Sequence, residues 1–457
     1  MTDRLLVRFA GQGSGTGELT WGQQTIMRGV DSRNGAALWL AAVEPVPDGK
    51  TEQDVADLFG YLMSRYQSMR TRLEFGDDGQ VRQSVSESGE TWLEIIDAAD
   101  DADPHQVAAD LKEQYQLAER DYTTQWPMRM AVVRHRGKPA YRVTALCHLV
   151  SDGYGVVAMM ADQEALEAGQ PNGPVTAMEP LEEASYQASP AGQRRSRAAE
   201  RYWEHMLATI PARRFRESSD PRQPRYWITS MHSRAMQLAM QPIAERTQAD
   251  TSPVLLAAFA VAVARVTGIN PVVPRVTASN RFRPRLAEAV APIIQTCPCA
   301  VDVAGASFDE AVMRAYRASV GAYKNAYFVP ARIRELVASV SAERGEPVDV
   351  AMVYNDRRMS MVTRANEVLG TPREVTALPE PGEITAALPL TTVAVDEMSD
   401  HPADLFTFHL MNSPDSVKAL ISFDTHYAAP GDVEAVLREM EAITVAAAFS
   451  PATPTGL

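Results

Sequence analysis

Apolar and polar positions along this chain recur with two periods, and the places where one period gives way to the other mark out its elements. Val55, Leu58, Phe59, Leu62 and Tyr66 fall on one face at helical spacing behind Thr51-Glu52-Gln53-Asp54, a run able to cap a helix. An amphipathic helix is predicted from there to about Met69. Tyr141, Val143, Ala145 and Cys147 alternate with Arg142, Thr144, Leu146 and His148, the period-two pattern of a strand with two unlike faces. His148 therefore falls where that strand ends. Further on, Ala198 to Leu207 is helical around Trp203, and Ser252 to Val266 is an Ala-rich apolar helix buried on most sides. A strand near Ala419 to Asp424 and a helix from Gly431 to Ala448 close the pattern. No fixed-period repeat is present, which excludes solenoids and propellers.

Between Gly169 and Pro190 the periodicity lapses among four prolines and several small or acidic residues. This stretch predicts an N-terminal lobe over residues 1–175, a linker over 176–190 and a C-terminal lobe over 191–457. Two lobes also suit a length of 457 residues, too long for one ordinary core.

With 45% hydrophobic and 22% charged residues the chain reads as folded. Its formal net charge of -14 argues against a nucleic-acid surface, which needs clustered excess cation. No apolar run reaches the length of a membrane-spanning helix, and the N-terminus does not read as a signal peptide, so a cytoplasmic protein is expected, with no membrane partner. Three cysteines, Cys147, Cys297 and Cys299, are too few for a disulfide framework or a four-ligand zinc site.

The segment Cys147-His148-Leu149-Val150-Ser151-Asp152-Gly153 carries the candidate chemistry. Acyl transfer from a thioester to an amine or alcohol needs a group that accepts or orients the acceptor's proton, and donors aimed at the oxyanion of the tetrahedral intermediate. A histidine at a strand end can do the first. Asp152 and Gly153 can turn the backbone sharply and bring N–H groups close to the reacting centre. Alone, HxxxDG is a weak pattern, and a lone histidine beside an apolar strand is more often a packed core residue.

The surroundings add to it. Leu146 to Tyr154 resembles the HHxxxDG signature of nonribosomal-peptide condensation domains, relatives of chloramphenicol acetyltransferase-like, CoA-dependent acyltransferases, with Cys147 in place of the first histidine. Leu19-Thr20-Trp21-Gly22-Gln23-Gln24 is similar to the opening motif, Met69-Arg70-Thr71-Arg72-Leu73 to the LRTxF motif, and Asp121 to Met130 to the approach to the active-site strand. Glu200-Arg201-Tyr202-Trp203 resembles the helix opening the second lobe. Ser279-Asn280-Arg281 and Ala291 to Thr296 resemble the NR and GxFVNT segments, while Tyr354-Asn355-Asp356 and Ser422 to Thr425 match weaker marks. Tyr66-Gln67 stands where the family has His-Glu, and Gln295 and Ala291 replace its Asn and Gly.

The resemblance implies an α/β (α+β) fold: two acetyltransferase-like lobes in a V-shaped pseudo-dimer, with mixed sheets flanked by helices and crossover segments returning to the N-terminal lobe. It also implies a free-standing condensation enzyme of natural-product biosynthesis that joins an acyl or aminoacyl thioester on a carrier protein to an amine or hydroxyl, forming an amide or ester. No metal or cofactor of its own is expected; the phosphopantetheine arm of an acyl or peptidyl carrier protein, or CoA, brings the donor, and the acceptor is a small molecule or carrier-bound. Carried over by position, His148 is the base or positioning group, Asp152 is mainly structural, and Gly153 donates its N–H to the oxyanion. A buried carboxylate needs a cation, and Arg281 is the candidate. Asn355 is a further polar contact, with Cys147, Ser151 and Gln295 as support. Two other readings are open: a catalytically silent relative that recruits a tailoring enzyme, and an acyltransferase using soluble acyl-CoA.

Other signals carry less. Gly11, Gly13, Gly15 and Gly17 do not fit a dinucleotide fingerprint, and Cys297-Pro298-Cys299 lacks CxxC spacing and reads as a packed strand. The remaining histidines read as surface or hydrogen-bonding residues. Arg194-Arg195-Ser196-Arg197, near Arg201, reads as a solvated helix face or a contact for an acidic carrier protein or a phosphate.

Overall fold

A computed structural model describes residues 3–31, 38–170, 173–216, 218, 220, 222–358, 378–401 and 404–457. The chain folds as two compact units, Met1–Arg194 with Ser279–Ile294, and Arg195–Ala278 with Gln295–Leu457. Sixteen residues of the first unit are therefore inserted into the sequence of the second.

The first unit contains, in chain order, β1 (Asp3–Ala10), β2 (Gly15–Glu18), α1 (Trp21–Asp31), β3 (Trp39–Pro45), α2 (Glu52–Arg65), β4 (Thr71–Phe75), β5 (Val81–Val85), β6 (Ser88–Ala98), α3 (Pro104–Leu117), β7 (Met128–His135), β8 (Lys138–Cys147), α4 (Gly153–Glu167) and α5 (Pro180–Ala188). Helix α6 (Pro190–Thr209) leads out of it. Its main sheet has the order β1-β6-β7-β8-β3 and is antiparallel except for β6 beside β7. Phe59, Met63, Met69, Leu93, Val132 and Val143 form its core. Each such side chain contributes about 1.5–3 kcal/mol by leaving water, which fixes α2 and α3 on the sheet.

The capping run before α2 works as a reciprocal box: the Thr51 side chain accepts from the Asp54 N–H, and Asp54 accepts from the Thr51 N–H. The helix stops at Arg65, short of the expected Met69, because Tyr66 is extended and its hydroxyl donates to Asp162. The stretch expected to be an aperiodic linker also holds a helix, α5. Pro180 is tolerated at the first turn of α5, where no intrahelical N–H partner is needed, so a residue that usually breaks a helix here begins one. Residues 171–172 of that stretch lie outside the described residues.

The second unit continues with β9 (Tyr226–Ser233), α7 (Arg234–Thr247), α8 (Thr251–Thr267), β10 (Arg275–Ala278), β11 (Gln295–Pro298), α9 (Phe308–Lys324), α10 (Pro330–Arg344), β12 (Met352–Asp356), α11 (Pro381–Ala387), β13 (Thr392–Ser399), β14 (Phe406–Met411), β15 (Val417–Asp424) and α12 (Pro430–Phe449). Its sheet runs β11-β10-β12-β14-β15-β9-β13 and is mixed, with β12 parallel to both β10 and β14. The apolar run read as a buried helix is α8, whose residues from Pro253 to Ala264 are all buried. Cys297 and Cys299 are buried thiols, and burial pushes both above the ordinary thiol value. Among the described residues no single helix is long and apolar enough to cross a membrane.

Candidate active site

Strand β8 ends at Cys147, and five residues carry the chain into α4. The strand's last residue is locked on both sides: the Cys147 N–H donates to Pro127 O at 2.8 Å, and its carbonyl accepts from Val150 N at 3.1 Å. Its side chain is buried beside Tyr122 and Arg120, and burial raises the thiol above its ordinary value. A neutral, inert sulfur is the consequence. Arg120, itself lowered by burial, donates to the carbonyls of Gln125 and Trp126 and lies over the Trp39 and Tyr122 rings.

His148 comes next, outside the ladder, with its N–H on Leu38 O at 2.7 Å. The side chain is only partly buried. Its Nδ1 is shielded from solvent and has no hydrogen-bond partner among the described residues. Among the described residues no carboxylate bonds the imidazole, so they form no Ser-His-Asp relay around it.

Asp152 caps α4 and is fully buried. Its Oδ1 accepts from the Gly155 N–H at 2.9 Å and from Arg281 Nη2 at 2.8 Å. Its Oδ2 accepts from Arg281 Nη1 at 3.0 Å and from the Ile293 N–H at 3.2 Å. Arg281, almost as deeply buried, also donates to Ala289 O at 2.9 Å and lies over the Tyr154 ring. The carboxylate thus has four donors and a full opposing charge, which makes burial tolerable. It braces the loop but is committed to that task.

Two features of this corner were not picked out from sequence. Asn280 adopts a left-handed conformation, φ 58°, which asparagine tolerates, and its side chain donates to Ile293 O at 2.8 Å. The segment Ser279–Ile294 is thereby closed on itself and presses against two glycines. A β-carbon at Gly155 would overlap Ser151 Oγ and stand 3.3 Å from Val290 Cα, and one at Gly22 would overlap the Pro292 carbonyl oxygen. Only knowledge of what packs there could have marked them.

Gly153 is different. It heads α4, and a side chain there would meet no protein atom within 4 Å. Its N–H, like others in a first helical turn, has no intrahelical acceptor and sits at the positive end of the helix dipole. A partly exposed imidazole and a helix N-terminus with open space at its first residue are the chemical means this loop offers. Ser151 is buried, and its hydroxyl donates to Asp152 O at 3.1 Å.

Gln295 and Asn355 belong to the second unit. Gln295 is consumed structurally, its amide donating to Phe328 O at 3.0 Å and its oxygen accepting from Phe328 N at 2.9 Å. Asn355 lies on β12, in register with His409 of β14. His409 departs from the expectation of a surface histidine. Alternation within β14 places it on the face opposite the core residues Phe406, Phe408 and Leu410, half-buried, with its Nδ1 shielded and unpartnered among the described residues, and burial with the nearby Arg357 charge draws it down to about 4. The positions that depart from the His-Glu pair also acquire partners: Tyr66 bonds Asp162, and the Gln67 N–H donates to Glu179 at 2.6 Å. Among the described residues no group of three or more His, Cys, Asp or Glu is placed to hold a metal ion.

The architecture and the loop define an α/β protein of two units in which a strand-end histidine is followed, four residues on, by a helix-capping, arginine-paired aspartate. The Condensation domain profile matches residues 48–371, and the chain belongs to that family. It is 27% identical over 279 residues to the nonribosomal peptide synthetase penN of Penicillium thymicola, an alignment covering 58% of this chain and 10% of that protein. The chain thus spans about a tenth of that relative. Among solved structures it is similar to the condensation domain of the monacolin K polyketide synthase MokA, with TM-score 0.70, 13% identity, and coverage of 97% of this chain and 100% of that one. It is also similar to a structure describing condensation-domain-mediated chain release from the enacyloxin polyketide synthase, with TM-score 0.66, 19% identity, and coverage of 89% and 77%.

Proposed function

We propose that this protein transfers an acyl or aminoacyl group from a phosphopantetheine thioester on a carrier protein to an amine or hydroxyl, forming an amide or ester. The observation that carries the reading is the juxtaposition in one short loop of the partly exposed His148 and the open helix N-terminus at Gly153, the latter capped by the buried, arginine-paired Asp152. The acceptor's lone pair attacks the thioester carbonyl carbon while His148 orients the acceptor and takes its proton. Negative charge gathers on the former carbonyl oxygen, which the Gly153 N–H and the α4 dipole stabilise. The intermediate collapses, the C–S bond breaks, and the departing thiolate receives the proton. Cys147 and Asp152 take no part in bond making, since one is a buried neutral thiol and the other is spent on four donors.

The test is mass spectrometry of products from acyl groups loaded on a holo-carrier protein and offered amine and alcohol acceptors. His148→Ala should lower product formation by about 100-fold or more, in the range general-base catalysis supplies, with an unchanged melting temperature. Near-normal turnover by that variant would overturn the reading. Turnover with soluble acyl-CoA and none with the carrier thioester would replace the carrier as donor.

A further inference from the structure

Helix α6 carries an exposed face rich in arginine. Trp203 and Leu207 are buried on one side, together with Ser196 and Ala199. At 100° per residue, Arg194, Arg197, Arg201 and His205 fall on the opposite side within a narrow arc. All four are exposed, as is Arg195 on the flank. None of the four arginines has an ion pair or side-chain hydrogen bond among the described residues, whereas Arg134, Arg142, Arg246 and Arg265 each hold a carboxylate. Glu200 on the same helix is engaged by Ser196 and Arg332, which leaves the exposed Glu204, at the edge of the arc beside Arg197, as the one carboxylate of α6 near the stripe. In a chain of formal charge -14 this is a local reversal of sign.

Such a stripe, three turns long and with its arginines outnumbering the one neighbouring carboxylate, attracts negative charge and steers its approach. The surrounding excess of acid repels an extended polyanion such as a nucleic acid, so the complementary object is compact and acidic. We propose that the Arg194–Arg197–Arg201 face of α6 docks the acidic surface of the carrier protein that presents the thioester. This rests on the proposed reaction for the partner's identity but not for the existence of the docking face.

The test uses the full chain and its Arg197→Glu/Arg201→Glu variant, with an acidic holo-peptidyl carrier protein as probe. Binding is measured directly by titration calorimetry at several salt concentrations. Turnover is measured with the same acyl group on the carrier, on free phosphopantetheine and on N-acetylcysteamine. The expected result is carrier binding weakened about tenfold or more, with a shallower salt dependence, and unchanged turnover of both small thioesters. Unchanged carrier binding overturns the proposal. Loss of turnover with free phosphopantetheine but not with N-acetylcysteamine also overturns it, by showing that the arginines read the phosphate. If the wild type turns over no thioester, binding still decides: carrier affinity lost on charge reversal keeps the docking face while the proposed reaction falls.

Discussion

Among the described residues each unit contains one fully buried aspartate paired with an arginine, and the two pairs differ in where the arginine ends. Asp152 meets Arg281, whose side chain is 7% exposed, and both oxygens are saturated by donors from a distant stretch of chain. Asp424, at the end of β15, meets Arg225, whose side chain is 38% exposed, and accepts in addition from the His426 N–H at 2.9 Å. One pair is sealed; the other opens on solvent. Removing one member of a sealed pair strands a charge in the interior, whereas the half-open guanidinium can turn to water.

Asp152→Ala should therefore be the most damaging change, costing about 3–5 kcal/mol in urea unfolding, because Arg281 is left without its counter-charge and the Ile293 and Gly155 N–H groups lose their acceptor. Asp424→Ala should cost less, about 1–3 kcal/mol, from the loss of charge-assisted hydrogen bonds. Equal losses would show that burial of the arginine is not what separates the pairs.

A further carboxylate, the half-buried Glu179, sharpens the contrast because among the described residues no cation bonds it directly. Burial pushes it from 4.5 up to about 7, against the opposing pull of the Gln67 N–H and the Arg70 and Arg65 charges. A carboxyl raised on folding favours the folded state most below its unfolded value, and that advantage is lost as pH rises through the folded value. Wild-type stability should fall between about pH 4.5 and 7 by up to about 3 kcal/mol, and Glu179→Gln should flatten that slope in urea unfolding at a series of pH values.

Arginine-to-lysine changes follow in size. Arg281→Lys keeps the charge but cannot hold both Asp152 oxygens and Ala289 O together, and should cost about 2 kcal/mol; Arg225→Lys should cost under about 1 kcal/mol. The smallest effect concerns acid. Burial would raise Asp424, but the Arg225 hydrogen bonds, the His426 N–H and the Arg225 charge outweigh it and hold the group below the ordinary carboxylate value. Its contribution is present above 3.8 and is lost as pH falls further, so Asp424→Asn should change only the acid limb of the stability profile.

What could be read from the sequence was what local pattern determines. Helix α8 announces itself by an unbroken apolar run, the cap of α2 by Thr51 and Asp54, and the end of β8 by alternation. A need for a cation beside Asp152 follows from the cost of burying a lone carboxylate. What could not be read depends on residues far away in the chain. Gly22 and Gly155 are constrained by Pro292 and Val290, the early end of α2 by Asp162, and the shielding of His409 Nδ1 by its place in the second sheet. Helix α5 was hidden for another reason, since its opening proline has opposite meanings at the start and in the middle of a helix.

The insertion of Ser279–Ile294 has a practical consequence for anyone dividing this protein. A gene cut after Arg194 would encode every strand of the first unit and still omit Arg281, the Ile293 N–H and the carbonyl against which Gly22 packs. Such a fragment would expose an unneutralised aspartate at the head of α4. The two units are distinct in space but not separable as expression fragments, and joining the first to its missing sixteen residues through a short linker is the minimal way to isolate it.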